Sequence, residues 1–278
     1  MNNLVKRTIF GSLFVIVVIG SILVNFWAFF IVMTASVFLG VKEVNRLLSK
    51  DIESKSELPS LIYSMSVFVL SSVVMCADVP FNLGVFAMFS FPLIFLLIPF
   101  LIALFSKQSS FVEIAVKCWT SLLFVVLPCI LLLSMYRTSP INTINGKILI
   151  IILFSLIWIN DIFAYLTGML FGRHKLFERI SPKKTIEGSL GGLTFTVLAA
   201  FLINKYLYPI MSGVEMMGLS ATVVVFGSLG DLCESMLKRQ AGVKDSGNLI
   251  PGHGGILDRF DSVLFTAPVV FYCIEFLA

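Results

Sequence analysis

Residues 147 to 172 read K-I-L-I-I-I-L-F-S-L-I-W-I-N-D-I-F-A-Y-L-T-G-M-L-F-G, an apolar run interrupted by very few polar side chains. A helix needs about 20 apolar residues to cross the hydrocarbon core of a bilayer, and this run is long enough. Apolar residues make up 58% of the chain and charged residues only 13%, which excludes a soluble globular domain. The composition predicts an all-α, polytopic integral membrane protein with about nine transmembrane helices.

Further apolar runs lie on both sides of this one. The nine predicted spans are residues 8–24, 25–41, 61–77, 81–105, 110–136, 147–172, 188–208, 215–236 and 260–277. The first two abut at Val24 and Asn25, which leaves open either a tight hairpin or one long tilted helix. We expect residues 1–140 to be a membrane scaffold and residues 141–278, which hold the polar loops, to be the catalytic region. Paired small residues leave a homodimer open.

The distribution of Lys and Arg predicts the orientation in the membrane. With a cytoplasmic N-terminus, 17 of the 20 basic residues fall on the cytoplasmic side, and only Arg137, Lys147 and Lys205 fall outside. This is the asymmetry that cytoplasmic loops usually show. Both polar loops then face the cytoplasm, where nucleoside triphosphates occur. The net charge of +4 favours contact with anionic lipid headgroups, and we predict no nucleic-acid partner.

Two polar residues, Asn160 and Asp161, fall near the middle of the span at 147–172. An unpaired charge at that depth costs about 2.5 kcal/mol or more, so such residues usually line a cavity. We therefore predict substrate binding, with a polar helix-packing pair as the alternative. Ala164 and Gly168 follow Asn160 at intervals of four, which gives a small-residue face for a neighbouring helix.

The loop after this span contains S-P-K-K-T-I-E-G at residues 181–188. Ser181 and Pro182 favour a turn, and the two lysines after them can bind phosphate. A basic cluster that only follows the orientation rule is the alternative, but it leaves the rest of the pattern unexplained.

Acidic residues recur on the last two predicted helices. Asp231, Glu234, Ser235 and Lys238 are spaced to share one helical face, and Gly227 and Gly230 precede them so that another helix can approach closely. The last helix opens with Asp258 and Asp261, one turn apart. Carboxylates brought together repel one another unless a cation lies between them. We therefore predict a Mg²⁺ site, with one or two cations, whose ligands are Asp231, Asp258 and Asp261.

The most polar stretch of the chain, residues 235–261, reads S-M-L-K-R-Q-A-G-V-K-D-S-G-N-L-I-P-G-H-G-G-I-L-D-R-F-D. Its cationic side chains and glycines suit a polyphosphate. Its order and spacing resemble the signature of the phosphatidate cytidylyltransferases, the CDP-diacylglycerol synthases. Residues 181–188 are similar to a second block of that family. Ile162 and Ile186 stand where threonine and tryptophan are common in it.

The resemblance implies an enzyme of phospholipid biosynthesis in a bacterial inner membrane, which joins CTP and phosphatidate into CDP-diacylglycerol and pyrophosphate with Mg²⁺. The predicted catalytic residues are Lys238, Arg239, Lys244, Asp245, His253 and Arg259, with His253 in a binding or loop-shaping role. The predicted substrate-binding residues are Asn160, Asp161, Ser181, Lys183, Lys184, Thr185, Glu187 and Ser235.

Two other functions are compatible with the sequence. A CTP-dependent kinase or cytidylyltransferase acting on another lipid would need the same cationic loop. A transporter could use Asp161 and the polar face at 231–238 within the membrane. The sequence shows no pair of interrupted helices of the kind that transporters use, which favours an enzyme.

Overall fold

The computed structural model describes residues 3–49, 57–76, 96–105, 111–137, 145–249 and 254–277. Most of these residues are helical, and two short strands form the only sheet among them. The predicted all-α membrane class is confirmed. The chain divides into two compact units. The first comprises Met1–Ser134 and Ala241–Arg259, and the second comprises Met135–Gln240 and Phe260–Ala278.

The first unit is a group of helices built around α2, α3 and α5, which pack against one another. Its helices are α1 (Asn3–Val24), α2 (Phe26–Leu48), α3 (Glu57–Cys76), α4 (Ile98–Phe105), α5 (Phe111–Ser121) and most of α6 (Leu127–Arg137). Large apolar side chains such as Phe29, Met33 and Phe68 are fully buried between them. The C-terminal part of α2 is packed as well, with Val41 and Val44 fully buried.

Asn25 separates α1 from α2. Its backbone is extended, and its side-chain oxygen accepts a hydrogen bond from the Ala28 N–H at 2.8 Å, so that it caps a new helix. The two helices pack against each other. Of the two arrangements that the sequence left open, the structure has the hairpin.

A π-helical turn at Leu122–Val126 joins α5 to α6. Pro128 lies two residues after the end of this turn, and proline has no N–H to donate to the carbonyl four residues before it, that of Phe124. Extra residues in a π turn are one of the ways in which a helix accommodates such a break. The long segment Phe111–Arg137 therefore stays continuous.

The second unit contains three long helices, a β-hairpin and most of the last helix. Its elements are α7 (Gly146–Phe171), β1 (Lys175–Phe177), β2 (Ser181–Thr185), α8 (Ile186–Tyr206), α9 (Gly213–Gln240) and, from Phe260 onward, α10 (Leu257–Leu277). The strands are antiparallel, with Lys175 opposite Thr185 and Phe177 opposite Ser181. The hairpin connects α7 to α8 at one end of both helices.

Small residues let α7 and α8 approach closely. A Cβ atom added at Gly188 would lie 2.7 Å from the backbone oxygen of Ala164 and 3.2 Å from the Cα atom of Gly168. Further along, the rings of Phe163 and Phe195 stack with centroids 4.2 Å apart. The small-residue face expected at Ala164 and Gly168 is therefore the surface on which α8 packs.

Six helices within the described ranges are long and apolar enough to cross a membrane. They are Phe26–Leu48, Glu57–Cys76, Phe111–Arg137, Gly146–Phe171, Ile186–Tyr206 and Gly213–Gln240. A shorter apolar segment, Ile9–Val24, and the helix Leu257–Leu277 match two further predicted spans in position. Residues 81–95 of the span predicted at 81–105 lie outside the described residues. The total of nine spans stays a prediction.

The compact units do not follow the order of the chain. Residues 241–259, which include most of the polar stretch after α9, belong to the same unit as the N-terminal helices. The division at residue 140 into scaffold and catalytic region concerns function, and it stays a prediction.

Candidate active site

Three carboxylates from α9 and α10 converge in the second unit. Asp231, Glu234 and Asp261 each offer an oxygen atom, and these atoms all lie within 4.8 Å of one another. Glu234 is fully buried, whereas the two aspartates are partly exposed. Negative charges this close repel one another, so the cluster needs compensating positive charge. Carboxylate oxygens are the ligands that Mg²⁺ prefers, and this acidic cluster therefore fits a divalent cation.

Glycines on α9 allow the acidic cluster to form. A Cβ atom at Gly230 would lie 2.7 Å from the backbone oxygen of Asp261 and 2.8 Å from the Cβ atom of Phe265. One turn earlier, a Cβ atom at Gly227 would lie 3.3 Å from the hydroxyl oxygen of Thr266. The helices thus cross at backbone distance directly beside Asp231, as the sequence led us to expect.

Two lysines neutralise part of the charge of the acidic cluster. Lys184, on β2, forms an ion pair with Asp231, and Lys238, one turn after Glu234, forms an ion pair with Glu234. The Ser235 hydroxyl donates to Asp231 at 3.3 Å. Lys238 is buried with its partner, which is unusual for lysine and requires such pairing. The second sequence block and the acidic face of α9 therefore meet in the folded chain.

A cavity of about 480 Å³ lies beside the acidic cluster in the second unit. Six of the predicted site residues line it: Asn160, Asp161, Lys183, Lys184, Thr185 and Asp231. Small and apolar residues, among them Ala164, Tyr165 and Met169, also line it. A cavity lined by both charged and apolar groups suits a ligand that has a charged head and a hydrocarbon body.

Asn160 contributes to both the cavity and the α7–α8 contact. Its side chain is 7% exposed, and a Cβ atom at Gly192 would lie 2.5 Å from its amide oxygen. The contact with Gly192 agrees with the alternative interpretation, in which Asn160 packs against a neighbouring helix. The position of Asn160 in the lining of the cavity agrees with the prediction of substrate binding.

The β-hairpin is fixed to α7 and α8 by polar side chains of the second block. Thr185 ends β2 and caps α8, with its hydroxyl accepting from the Gly188 N–H at 3.1 Å. The Glu187 carboxylate accepts from the Arg173 N–H at 3.0 Å and lies 2.6 Å from Nδ1 of His174. Glu187 thus fixes the turn between α7 and β1, and its role in substrate binding stays a prediction. Ser181 lies in β2, half-buried.

The polar stretch after α9 belongs to the first unit, where Asp258 shapes it. One oxygen of Asp258 accepts from the N–H groups of Ser246 and Gly255, both at 2.8 Å, and lies 2.8 Å from the Ser246 hydroxyl. Asp258 therefore holds two parts of this stretch together. Asp231 and Asp261, the other two predicted metal ligands, lie together with Glu234 in the second unit. Metal binding by Asp258 stays a prediction.

Other predicted catalytic residues of this stretch are accessible to solvent. Lys244 and Asp245 are exposed and line a second cavity, of about 520 Å³, together with Arg46 and Asn248. The remaining residues differ in placement: Arg239 is exposed, Arg259 is half-buried, and His253 lies outside the described residues.

The sequence profile of the cytidylyltransferase family matches residues 5–277. The chain belongs to the cytidylyltransferase family. The family membership predicted from the two sequence blocks is thereby confirmed, and it covers the N-terminal helices as well as the catalytic blocks. Together with the apolar helices, it makes the protein an integral membrane protein.

Several curated relatives are named phosphatidate cytidylyltransferase. One from Synechocystis sp. is 50% identical over 141 residues, which are 50% of this chain and 47% of the relative. Others from Staphylococcus aureus and Staphylococcus epidermidis are 44% identical over 126 residues, or 45% of this chain and 48% of each relative. The matched stretch thus spans about half the length of the curated relatives.

Sequence reasoning missed three residues of these sites. Glu234 was grouped with the polar face of α9 but not with the metal ligands, although its spacing from Asp231 could have indicated it. His174 pairs with Glu187 across a hairpin that the sequence did not predict. Glu43 contacts the polar stretch from more than 200 residues away, and no local pattern signals such a contact.

Proposed function

We propose that this protein transfers the cytidylyl group of CTP to phosphatidate, giving CDP-diacylglycerol and pyrophosphate. A phosphate oxygen of the lipid attacks the α-phosphorus of CTP, and the bond from that phosphorus to the pyrophosphate group breaks. A phosphate monoester is largely ionised at neutral pH, so the nucleophile needs no general base. The work of the protein is then to position the reactants and to neutralise charge.

The ion pair between Lys184 and Asp231 is the observation that carries this proposal. It joins the cationic second block to the acidic cluster at the edge of one cavity. A nucleotide that arrives with a divalent cation needs both kinds of group, because the carboxylates bind the cation and the lysines bind phosphate oxygens. The apolar residues that also line this cavity suit the acyl chains of a lipid substrate.

Asp231, Glu234 and Asp261 would hold Mg²⁺ in this reaction. When bound, Mg²⁺ neutralises the charge of the triphosphate and orients it. Lys184 lies at the cavity and can exchange its carboxylate partner for a phosphate oxygen, while Lys238 balances the buried charge of Glu234. A second cation, and a ligand role for Asp258, remain part of the prediction from sequence.

Five residues of the polar stretch that the sequence predicts to be catalytic complete the proposal. We expect their cationic and polar groups to bind the polyphosphate of CTP before and during transfer. These residues are Arg239, Lys244, Asp245, His253 and Arg259.

We place the protein in a bacterial inner membrane, with the N-terminus and the polar loops in the cytoplasm. CTP then arrives from the aqueous side, and phosphatidate enters from the bilayer. The distribution of basic residues supports this orientation. A homodimer stays a prediction.

The reaction can be tested with purified full-length protein, phosphatidate vesicles and CTP labelled in either the α- or the γ-phosphate. We expect label from the α-phosphate to enter the lipid, no transfer from the γ-phosphate, and no reaction in the presence of a chelator. Transfer of the γ-label alone would show a lipid kinase. Turnover of another lipid phosphate in preference to phosphatidate would remove the substrate assignment.

A pair of lysine variants tests the observation behind the proposal. Lys184→Gln should lower turnover by about 100-fold, the size of loss expected when one charge-stabilising group is removed from an active site. Lys175→Gln removes an exposed charge from the other strand of the same hairpin and should leave turnover near the wild-type rate. Equal activity of the two variants would separate Lys184 from the reaction.

A further inference from the structure

Glu43, on α2, contacts the polar stretch of the first unit through both carboxylate oxygens. One oxygen accepts from the Ile256 N–H at 2.9 Å. The other accepts from the Leu257 N–H at 2.8 Å and lies 2.8 Å from the Ser246 hydroxyl. Glu43 is only 9% exposed, so these hydrogen bonds replace the ones that its carboxylate would make to water in an exposed position.

The chain around Glu43 is shaped to admit its carboxylate. A Cβ atom at Gly247 would lie 2.6 Å from one of its oxygens, and a Cβ atom at Gly255 would collide with the same oxygen. Any larger residue at either position would need the carboxylate to move. A Cβ atom at Gly255 would also collide with the Ser246 hydroxyl oxygen, so these glycines leave room for Glu43 and for its hydrogen bond with Ser246.

The position of Glu43 also stabilises the start of α10. Leu257 is the first residue of that helix, and the first N–H groups of a helix have no partner within it. A carboxylate at a helix N-terminus satisfies such groups and interacts favourably with the helix dipole. Here the carboxylate comes from α2 instead of from the residues that precede α10.

Ser246 connects Glu43 to Asp258. Its hydroxyl lies 2.8 Å from one oxygen of each carboxylate, and the residue is 2% exposed. Because a hydroxyl has one proton, Ser246 donates to one carboxylate at a time. Backbone N–H groups of residues 246 and 255 also donate to Asp258, and those of residues 256 and 257 donate to Glu43. The two acidic side chains thus hold residue 246 and residues 255–257 together.

We propose that Glu43 is a positioning residue that holds the polar stretch in its working conformation. Lys244 and Asp245 directly precede Ser246, and Arg259 closely follows Leu257. A change at Glu43 would alter the conformation of residues predicted to bind CTP without touching the substrate itself. The effect on turnover rests on the proposed function, whereas the effect on backbone protection does not.

Hydrogen–deuterium exchange of the full-length protein tests the structural part. In Glu43→Gln, an amide group presents a donor where the carboxylate presented an acceptor. We expect the Ile256 and Leu257 amides to exchange about ten-fold faster or more in this variant, since they lose a charged acceptor. Lys42→Gln is the matched control, because it changes one charge at the neighbouring, exposed position of the same helix.

CTP turnover tests the functional part. We expect kcat/KM for CTP to fall by about 10- to 100-fold in Glu43→Gln, the size of effect that displacement of binding groups produces. The KM for phosphatidate should stay near that of Lys42→Gln. A residue that only stabilises the fold would instead lower the unfolding midpoint and the amount of active enzyme, with KM for CTP and kcat per folded molecule unchanged.

Two results would overturn the proposal. One is equal exchange of the two amides in Glu43→Gln and Lys42→Gln, and the other is faster exchange with wild-type kcat/KM for CTP. If the wild-type protein makes no CDP-diacylglycerol, the proposed function fails, and the exchange data alone decide whether Glu43 fixes this segment. If Glu43→Gln does not fold, Ser246→Ala removes the connecting hydroxyl and should change exchange and turnover in the same direction to a smaller extent.

Discussion

At the scale of single residues, the balance of charge in the acidic cluster determines which substitutions should destabilise the protein most. Three carboxylates lie together, and two lysines contact two of them, so the cluster carries more negative than positive side chains. Removing a lysine increases this imbalance, whereas removing a carboxylate reduces it. Glu234 and Lys238 are both buried. We therefore expect the difference in stability between removing the lysine and removing the carboxylate to be largest for this pair.

We predict that Lys238→Met destabilises the protein more than Glu234→Gln does. Removing one partner of a buried ion pair commonly costs about 3–5 kcal/mol, because the remaining charge is left without compensation. Lys238→Met leaves three acids to repel one another, while Glu234→Gln leaves Lys238 beside two aspartates. Thermal unfolding of the purified variants measures the order.

The double variant Glu234→Gln with Lys238→Met provides the control. It removes both buried charges, so its unfolding midpoint should lie above that of Lys238→Met alone. If the double variant is less stable than the wild type by the sum of the two single effects, the two side chains do not interact energetically. Activity should be lost in all three variants under the proposed function.

At the scale of helices and strands, the sequence predicts the long elements well and the short ones poorly. The span at 147–172 and the helix Gly146–Phe171 agree almost residue for residue, because a long apolar run can only be satisfied as a helix in lipid. The hairpin of β1 and β2 was not predicted. Strands of three and five residues are too short to show an alternating pattern, and their pairing depends on the helices that they join.

The crossing of α9 and α10 gives a prediction at this scale. Gly230→Ala should lower the unfolding midpoint and abolish activity, because its Cβ atom would meet the backbone of Asp261 and push the two helices apart. The displacement would also separate the carboxylates of the acidic cluster.

The same helix offers a matched substitution. A Cβ atom at Gly218 has no neighbour within 4 Å among the described residues, so Gly218→Ala should keep full activity and leave stability unchanged or slightly higher. Activity assays and thermal unfolding of the two alanine variants make the comparison. If the two variants have similar activity and similar unfolding midpoints, the close approach of α9 and α10 at Gly230 is not important for the site.

At the scale of the whole molecule, residues far apart in the chain form the candidate sites, and this limits prediction from sequence. Both sequence blocks could be identified because the residues within each block keep a fixed spacing. The contact of Lys184 with Asp231 joins the second block to the acidic cluster, and the contacts of Glu43 cross more than 200 residues. Spacing along the chain carries no information on such contacts, so they required the structure.

The orientation in the membrane is testable at this scale. Lys205 lies near the end of α8, whereas Lys175 lies in the hairpin at the opposite end of the α7–α8 pair. In a variant without the five native cysteines, Lys205→Cys should react with a membrane-impermeant maleimide on intact cells. Lys175→Cys should react only after the membrane is opened, and the reverse pattern would invert the proposed orientation.

The hydrogen bonds of Glu43 have a consequence for the construction of chimeras. A hybrid that takes its N-terminal spans from a relative and its C-terminal half from this chain would carry both catalytic blocks intact. Such a hybrid still needs an acidic residue at the position of Glu43, because the N–H groups of Ile256 and Leu257 donate to that carboxylate. We expect grafts that lack the acid to insert normally and remain inactive, and to regain turnover when it is restored.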